Sequence, residues 1–159
     1  MKITILAVGK IRETYFTDAV REYTKRIGRY AAVGITEVPD EPAGQALSSA
    51  QIRQAVEKEG RRLLEKESPS AFRIALCIDG IKMDSVRFSQ QLSGCMNRGI
   101  SNIEFLIGGS NGLSDEVIRS ADLKLSFSDM TFPHQLMRVI LLEQIYRAFK
   151  IMHHEPYHK

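Results

Sequence analysis

The sequence has few of the residues that build covalently cross-linked or membrane-anchored proteins. Its two cysteines, Cys77 and Cys95, are too few for a disulfide framework, and no close Cys/His spacing is typical of a zinc site. No apolar run approaches the ~20 residues that span a bilayer. The apolar N-terminal segment lacks the cleavage-site pattern of a signal peptide. We therefore expect a reduced, cytoplasmic protein with no membrane partner.

The chain also lacks a large excess of charge of either sign, since its formal net charge is only +3. Such a balance permits an anionic partner without requiring one. The histidines are distributed unevenly, because His134, His153, His154 and His158 all lie at the C-terminal end. A basic end that carries histidines suits a polyanion, and a solvated tail is the alternative. No carboxylate-plus-histidine spacing supports a metal site, so we expect no metal.

Hydrophobic periodicity alternates along the chain between the patterns of buried strands and of amphipathic helices. Strands are predicted at residues 2–8, 33–38, 72–78, 102–107 and 123–127. Helices are predicted at residues 15–27, 48–67, 85–97, from about 114, and 133–153. Repeats, low-complexity tracts and interdomain linkers are absent. We therefore predict a single α/β domain over residues 1–159, a three-layer sandwich with a mostly parallel sheet.

Local signals mark where some of these elements begin and end. Ser48 and Gln51 have the spacing of a capping box at the start of the second helix. Asp79 and Gly80 are predicted to form the turn that ends the third strand. A catalytic role for the Asp79 carboxylate is the less favoured alternative.

The last helix is apolar at nearly every position. Its polar residues form one narrow stripe of Glu143, Arg147, Lys150 and His154. A helix of this composition must be buried on two sides. The domain supplies one side, and a second subunit supplying the other is favoured over a central helix in a monomer.

A glycine-rich turn follows the fourth strand at residues 105–113 (FLIGGSNGL). Open parallel sheets bind ligands at the carboxyl ends of their strands, although ordinary turns also use glycine. The turn matches neither the dinucleotide fingerprint nor the P-loop. Asp115 and Glu116 in the next helix would repel a phosphate. A cofactor that presents no phosphate to this turn fits better.

A second candidate segment is residues 125–135 (LSFSDMTFPHQ), between the fifth strand and the last helix. Its small hydroxyl side chains, phenylalanines and methionine suit a flat ligand such as an adenine ring. An ordinary loop with buried phenylalanines is the alternative on the residues alone.

In combination, several stretches resemble the small bacterial SPOUT-class methyltransferases that modify N3 of a pseudouridine in large-subunit (23S) ribosomal RNA. These stretches are 108–112 (GGSNG), 125–128 with 132–135, 143–148 (EQIYRA) and 157–159 (YHK). The resemblance covers the whole chain, from 5–10 (ILAVGK) to the last residue. It is looser in the N-terminal half and at 81–100, where Gly80-Ile81-Lys82 stands in place of the common Gly-Lys.

The resemblance implies a C-terminal trefoil knot, an exception to the rule that chains avoid threading, and a homodimer formed through the last helix. It implies S-adenosylmethionine as cofactor and 23S ribosomal RNA, within the assembled ribosome, as partner. The implied cofactor contacts are Leu76, Gly108, Phe127, Ser128, Asp129, Met130, Thr131 and Phe132. His158 and Tyr157 are the candidates for catalysis, and His134 and Arg138 for holding RNA or the partner subunit.

Two other functions remain in competition. A ribosome-associated RNA-binding factor without enzymatic activity would keep the basic end but need no cofactor cleft. A Rossmann-like oxidoreductase is disfavoured by Asp115 and Glu116 and by the missing dinucleotide fingerprint.

Overall fold

The computed structural model describes residues 1–42 and 47–157, and within them the strands form one sheet. The strands are β1 (Lys2–Val8), β2 (Ala32–Val38), β3 (Phe72–Lys82), β4 (Asn102–Ile107) and β5 (Leu123–Ser126). The helices are α1 (Thr14–Ile27), α2 (Ser49–Leu64), α3 (Ser85–Asn97), α4 (Asp115–Ser120) and α5 (His134–Met152). The sheet order is β2-β1-β4-β3-β5, and every neighbouring pair is parallel. The predicted α/β fold with a parallel sheet is confirmed.

Both faces of the sheet are covered by helices. Along β1, Ile3 and Ile5 point to a core shared with α1, α3 and α5, while Leu6 and Val8 point to a smaller core under α2 and α4. Side chains of a strand alternate between faces, so a strand buried on both faces reads as a continuous apolar run. This explains why residues 5–8 of β1 are apolar at every position, and it confirms the layered arrangement.

Most predicted boundaries agree with the structure within two residues, and the capping box is present. The Ser48 hydroxyl accepts a hydrogen bond from the Gln51 backbone N–H at 3.3 Å, and the Gln51 side chain accepts one from the Ser48 N–H at 2.8 Å. One interpretation was wrong, because the turn expected at Asp79-Gly80 lies inside β3.

The continuation of β3 past Gly80 depends on its neighbour β5. Leu76 and Ile81 both pair with Leu125, so the four residues between them bulge out of the ladder. A side chain on Gly80 would come within 2.6 Å of the Leu125 backbone. Glycine therefore ends no strand here; it lets β3 pass against β5.

Helix α5 lies between α1 and α3 on one face of the sheet. Leu141, Ile145 and Phe149 are buried within the chain itself, whereas Val139 and Ile140 are only partly buried. The chain's own core therefore buries one of the two sides of α5 that were predicted to be covered. None of the helices in the described part of the chain combines the length and the hydropathy of a membrane span.

Candidate functional site

A cleft of about 890 Å³ opens beside the carboxyl ends of β4 and β5 and the middle of β3. It is bounded by residues 76–78 of β3, by the turn at 108–113 after β4, and by the loop at 126–133 after β5. His134 and Met137, in the first turn of α5, complete the lining. Its size lies in the range of small-molecule sites, and parallel sheets place such sites at this edge.

The glycine turn allows no side chain at its first position. A Cβ on Gly108 would lie 2.4 Å from the carbonyl carbon and oxygen of Gly112, so the two ends of the turn are in direct backbone contact. The Gly112 N–H donates to the Gly109 carbonyl at 3.1 Å, and Gly112 has φ of +83°, a conformation that favours glycine. The turn therefore presents backbone atoms to the cleft.

Gly109 lies in the same turn, but its missing side chain faces away from Gly112. A Cβ there would meet Val8 at 3.1 Å and the buried carboxylate of Glu59 at 3.2 Å. The pKa of Glu59 is raised by burial, opposed by the hydrogen bond that the Glu41 backbone N–H donates to it. The back of the turn thus packs against β1 and α2.

Hydroxyl groups fix the loop after β5. The Ser126 hydroxyl donates to the Ser128 carbonyl at 3.2 Å, and the Ser128 hydroxyl accepts from the Met130 N–H at 3.0 Å. Such local bonds hold a loop in shape without help from regular structure. The loop is therefore set as one wall of the cleft, with Met130 74% exposed at its rim.

All the residues expected to contact the cofactor line this cleft except Asp129. The Asp129 carboxylate forms an ion pair with Lys82 of β3, and both side chains are mostly exposed. The contact of Asp129 with the cofactor stays a prediction. Cys77 and Ile78 also line the cleft, although sequence reasoning did not select them.

His134 lies in the cleft lining beside the bend after β1. Burial lowers the pKa of His134, as do the charges of Arg138 and Arg12, and the carboxylate of Asp40 opposes them. The imidazole is therefore neutral at neutral pH and keeps one nitrogen lone pair free to accept a proton or hydrogen bond.

Arg138, expected to hold RNA or the partner subunit, has a different role in this chain. Its side chain is fully buried and donates to the Glu37 carboxylate at 2.6 Å and to the Val8 and Gly9 carbonyls at 2.8 and 2.7 Å. These bonds fasten the start of α5 to the ends of β1 and β2. Arg138 has no surface through which to contact RNA; it supports the wall that His134 and Met137 form.

Tyr157 lies along α5, outside the cleft. Its hydroxyl donates to Glu143 at 3.1 Å, its ring meets Tyr146 edge-on at 4.9 Å between centroids, and the Arg147 guanidinium lies 4.6 Å from the ring centroid. Burial and the hydrogen bonds raise the pKa of Tyr157 to about 12, so its phenol is protonated at neutral pH. His158, the other candidate for catalysis, lies outside the described residues.

The described residues contain no group of three or more histidine, cysteine or carboxylate side chains able to hold a metal ion. The cleft offers backbone groups, hydroxyls, apolar side chains and one neutral imidazole. This chemistry suits an uncharged ring and a short polar chain better than a metal or a polyphosphate.

Similar folds occur in solved structures of bacterial proteins. A methylase family protein of Haemophilus influenzae superposes with a TM-score of 0.58 at 9% identity, over 99% of this chain and 70% of that one. One of Neisseria gonorrhoeae gives a TM-score of 0.52 at 13% identity, over 91% and 81% of the two chains. A Legionella pneumophila protein assigned as a methyltransferase, with S-adenosylmethionine bound, gives 0.51 at 13% identity, over 93% and 66%.

These likenesses concern the fold, since the identities are low. The sequence itself gives the family, because the family model for predicted SPOUT methyltransferases matches residues 1–158. The cleft lies at the sheet edge formed by the segments on which the resemblance rested. The chain therefore belongs to the SPOUT methyltransferase family.

Proposed function

We propose that this protein transfers the methyl group of S-adenosylmethionine to N3 of a pseudouridine in 23S ribosomal RNA, and that it does so as a homodimer on the assembled ribosome. The observation that carries the proposal is the convergence of the resembled cofactor residues on one cleft. Leu76, Gly108 and the loop 127–132 are far apart in sequence, yet all but one of these residues line the same cavity.

The residues of the cleft fit S-adenosylmethionine. The direct backbone contact between Gly108 and Gly112 leaves no room for a side chain in this turn, and the cofactor carries no phosphate to be repelled by Asp115 and Glu116 at the start of α4. Leu76, Leu125 and Phe127 supply apolar surface for the adenine, and Ser128 and Thr131 supply hydroxyls for the polar groups of the cofactor. When bound, the cofactor supplies an electrophilic methyl group on a sulfonium.

The chain's own groups must then orient the target base and accept its proton. N3 of pseudouridine is a weak nucleophile until its proton leaves, so a nearby acceptor accelerates the reaction. The protonated phenol of Tyr157 is unsuited to that task and is assigned to stacking or hydrogen-bond donation. His158 is proposed as the acceptor. His134, neutral and in the cleft lining, is proposed to bind the RNA there.

The position of the tail supports a site completed by a second subunit. Tyr157 contacts Glu143 and Arg147, which lie about two to three turns, or ~9–15 Å, along α5 from Met137 in the cleft. Two copies related by a twofold axis across the middle of α5 run antiparallel. In that arrangement, the tail of one subunit lies beside the cleft of its partner, and the partly exposed Val139 and Ile140 are covered.

Recognition of the RNA is proposed to depend on shape and backbone contacts. The chain is small, and its C-terminal end bears histidines and basic residues. Phosphate contacts position such a protein, while a splayed base can be read by stacking. This division of roles suits a folded RNA surface on an assembled ribosome.

The test has two measurements. Calorimetric titration with S-adenosylmethionine is expected to show saturable binding to the purified protein. Mass-spectrometric mapping of ribosomal RNA from a strain that lacks the protein is expected to show one unmethylated pseudouridine, restored by the purified protein and cofactor acting on ribosomes. Ribosome binding without cofactor binding would refute methyl transfer and favour a non-enzymatic factor.

A further inference from the structure

The chain reverses direction after α5 and is fastened back onto that helix. His154 has φ of +53°, a left-handed conformation at which the helix ends. The Glu155 N–H donates to the Lys150 carbonyl at 2.9 Å. The Glu155 carboxylate accepts from the Tyr30 hydroxyl at 2.9 Å and forms an ion pair with Lys150. The segment that leads to the chain end is therefore held in a defined path.

Glu143 provides the second point of attachment. Its Oε1 accepts from the Tyr157 hydroxyl at 3.1 Å and from Arg147 Nε and Nη2 at 3.0 and 2.6 Å, while Oε2 accepts from the Gln144 amide at 2.6 Å. The Glu143 side chain is only 19% exposed. One carboxylate thus gathers donors from the helix and from the tail.

We propose that Glu143 is a positioning residue for methyl transfer: by accepting the hydrogen bond from Tyr157, it holds the end of the described chain against α5. The inference rests on the proposed function, in which the last residues of the chain act at the partner's cleft. A tail that is already ordered before the substrate binds loses less conformational entropy on reaching the transition state. We therefore expect this order to raise kcat more than it strengthens binding. Glu143 itself touches neither cofactor nor base in this arrangement.

A purely structural role for Glu143 would be that of an ordinary helical ion pair with Arg147. The chain contains a matched example for comparison, because Glu22 and Arg26 on α1 form the same pair in the same order, four residues apart, at 2.7 Å. No tail contact reaches Glu22 in the described residues. The Arg26 and Glu22 side chains are 43% and 52% exposed, against 25% and 19% for Arg147 and Glu143. Replacement of Glu22 therefore measures what loss of a more exposed pair of the same spacing costs, which is small.

The experiment compares Glu143→Ala, Glu143→Gln and Glu22→Ala in the full-length protein. Kinetics use ribosomes and S-adenosylmethionine, and hydrogen–deuterium exchange reports on the peptide that covers the tail. We expect Glu143→Ala to lower kcat by about 10- to 100-fold with KM for the cofactor nearly unchanged, and to speed exchange in the tail. Glu143→Gln keeps an oxygen that can accept from Tyr157 and is expected to recover most of the loss. Glu22→Ala should change neither quantity.

A double variant adds a test of the route. If Glu143 acts through the Tyr157 hydroxyl, Tyr157→Phe combined with Glu143→Ala loses no more than the larger single effect, because interacting residues are non-additive. Additive losses would overturn the proposal, as would a Glu143→Ala enzyme with wild-type kcat or an unchanged tail exchange. A wild-type protein that transfers no methyl group would instead refute the proposed function, while the exchange data would still report whether Glu143 orders the tail.

Discussion

The glycine turn offers the most direct test of the cleft, through Gly108→Ala. The new Cβ would lie 2.4 Å from the Gly112 carbonyl group and 2.8 Å from the Leu113 nitrogen. Real contacts of this kind are near 3.4 Å or longer, so the turn must open by roughly 1 Å. The atoms that block the methyl group are backbone, which has no alternative rotamer with which to make room.

The size of the effect follows from where the strain is relieved. Overpacking of a well-packed site costs about 1–3 kcal/mol. The back of the turn rests on Val8 and Glu59 through Gly109, so we expect it to yield toward the open cleft. If cofactor binding must restore the original turn, that strain appears as a Kd for S-adenosylmethionine raised by about 10- to 100-fold.

Calorimetric titration measures the Kd, and thermal unfolding shows whether the variant is folded. Gly34→Ala in β2 is the matched control, because a Cβ there would meet no atom within 4 Å. We expect this control to bind the cofactor as the wild type does. A Gly108→Ala protein with wild-type stability and a Kd within about twofold of the wild type would refute the assignment of the turn.

Further predictions concern the dimer, the tail and a buried carboxyl group. Ile140→Asp is expected to give folded monomers in sedimentation experiments, because its carboxylate would be buried unpaired at the interface. Ile145→Asp places the carboxylate in the chain's own core and should prevent folding. A wild-type monomer at micromolar concentration would contradict the dimer. Deletion of residues 157–159 should leave dimerisation and cofactor affinity nearly intact while methyl transfer to ribosomes falls at least ~100-fold; transfer at the wild-type rate would make the tail a solvated end. Because the pKa of Glu59 is raised by burial, the folded protein binds its proton more tightly than the unfolded chain, and stability is lost as pH rises through that raised pKa. Glu59→Gln should therefore be more stable than the wild type in chemical denaturation at neutral pH, with the difference shrinking below the ordinary carboxyl pKa of about 4.5; a difference that is constant with pH would argue against the buried charge.

Local pattern was enough to predict most of the elements and the two segments that line the cleft. Strands buried on both faces read as apolar runs, and caps such as Ser48 with Gln51 act within one turn of helix, so both leave a signal in neighbouring residues. The cleft residues followed from the rule that parallel sheets bind ligands at their carboxyl edge, combined with a family resemblance.

The tertiary structure decided what depends on residues distant in sequence. The path of β3 through Gly80 is set by Leu125, and the extension of that strand brings Lys82 into an ion pair with Asp129, 47 residues away. The burial of Arg138 depends on the Val8 and Gly9 carbonyls, 130 and 129 residues away. An arginine can be buried only where several hydrogen-bond acceptors surround its guanidinium. The sequence pattern of the helix that carries Arg138 does not show that such acceptors are nearby.

Helix α5 shows the same division most clearly. Its composition predicted that both sides would be covered, but the packing of α1 and α3 decided that Ile145 belongs to the chain's own core and left Ile140 partly open. Likewise, the stripe that contains Glu143 and Arg147 was readable as a helical ion pair, and only the reversal of the chain at His154 brings Tyr157 onto it. Spacing along a helix reports which residues share a face; what covers that face is determined by the elements that fold against it.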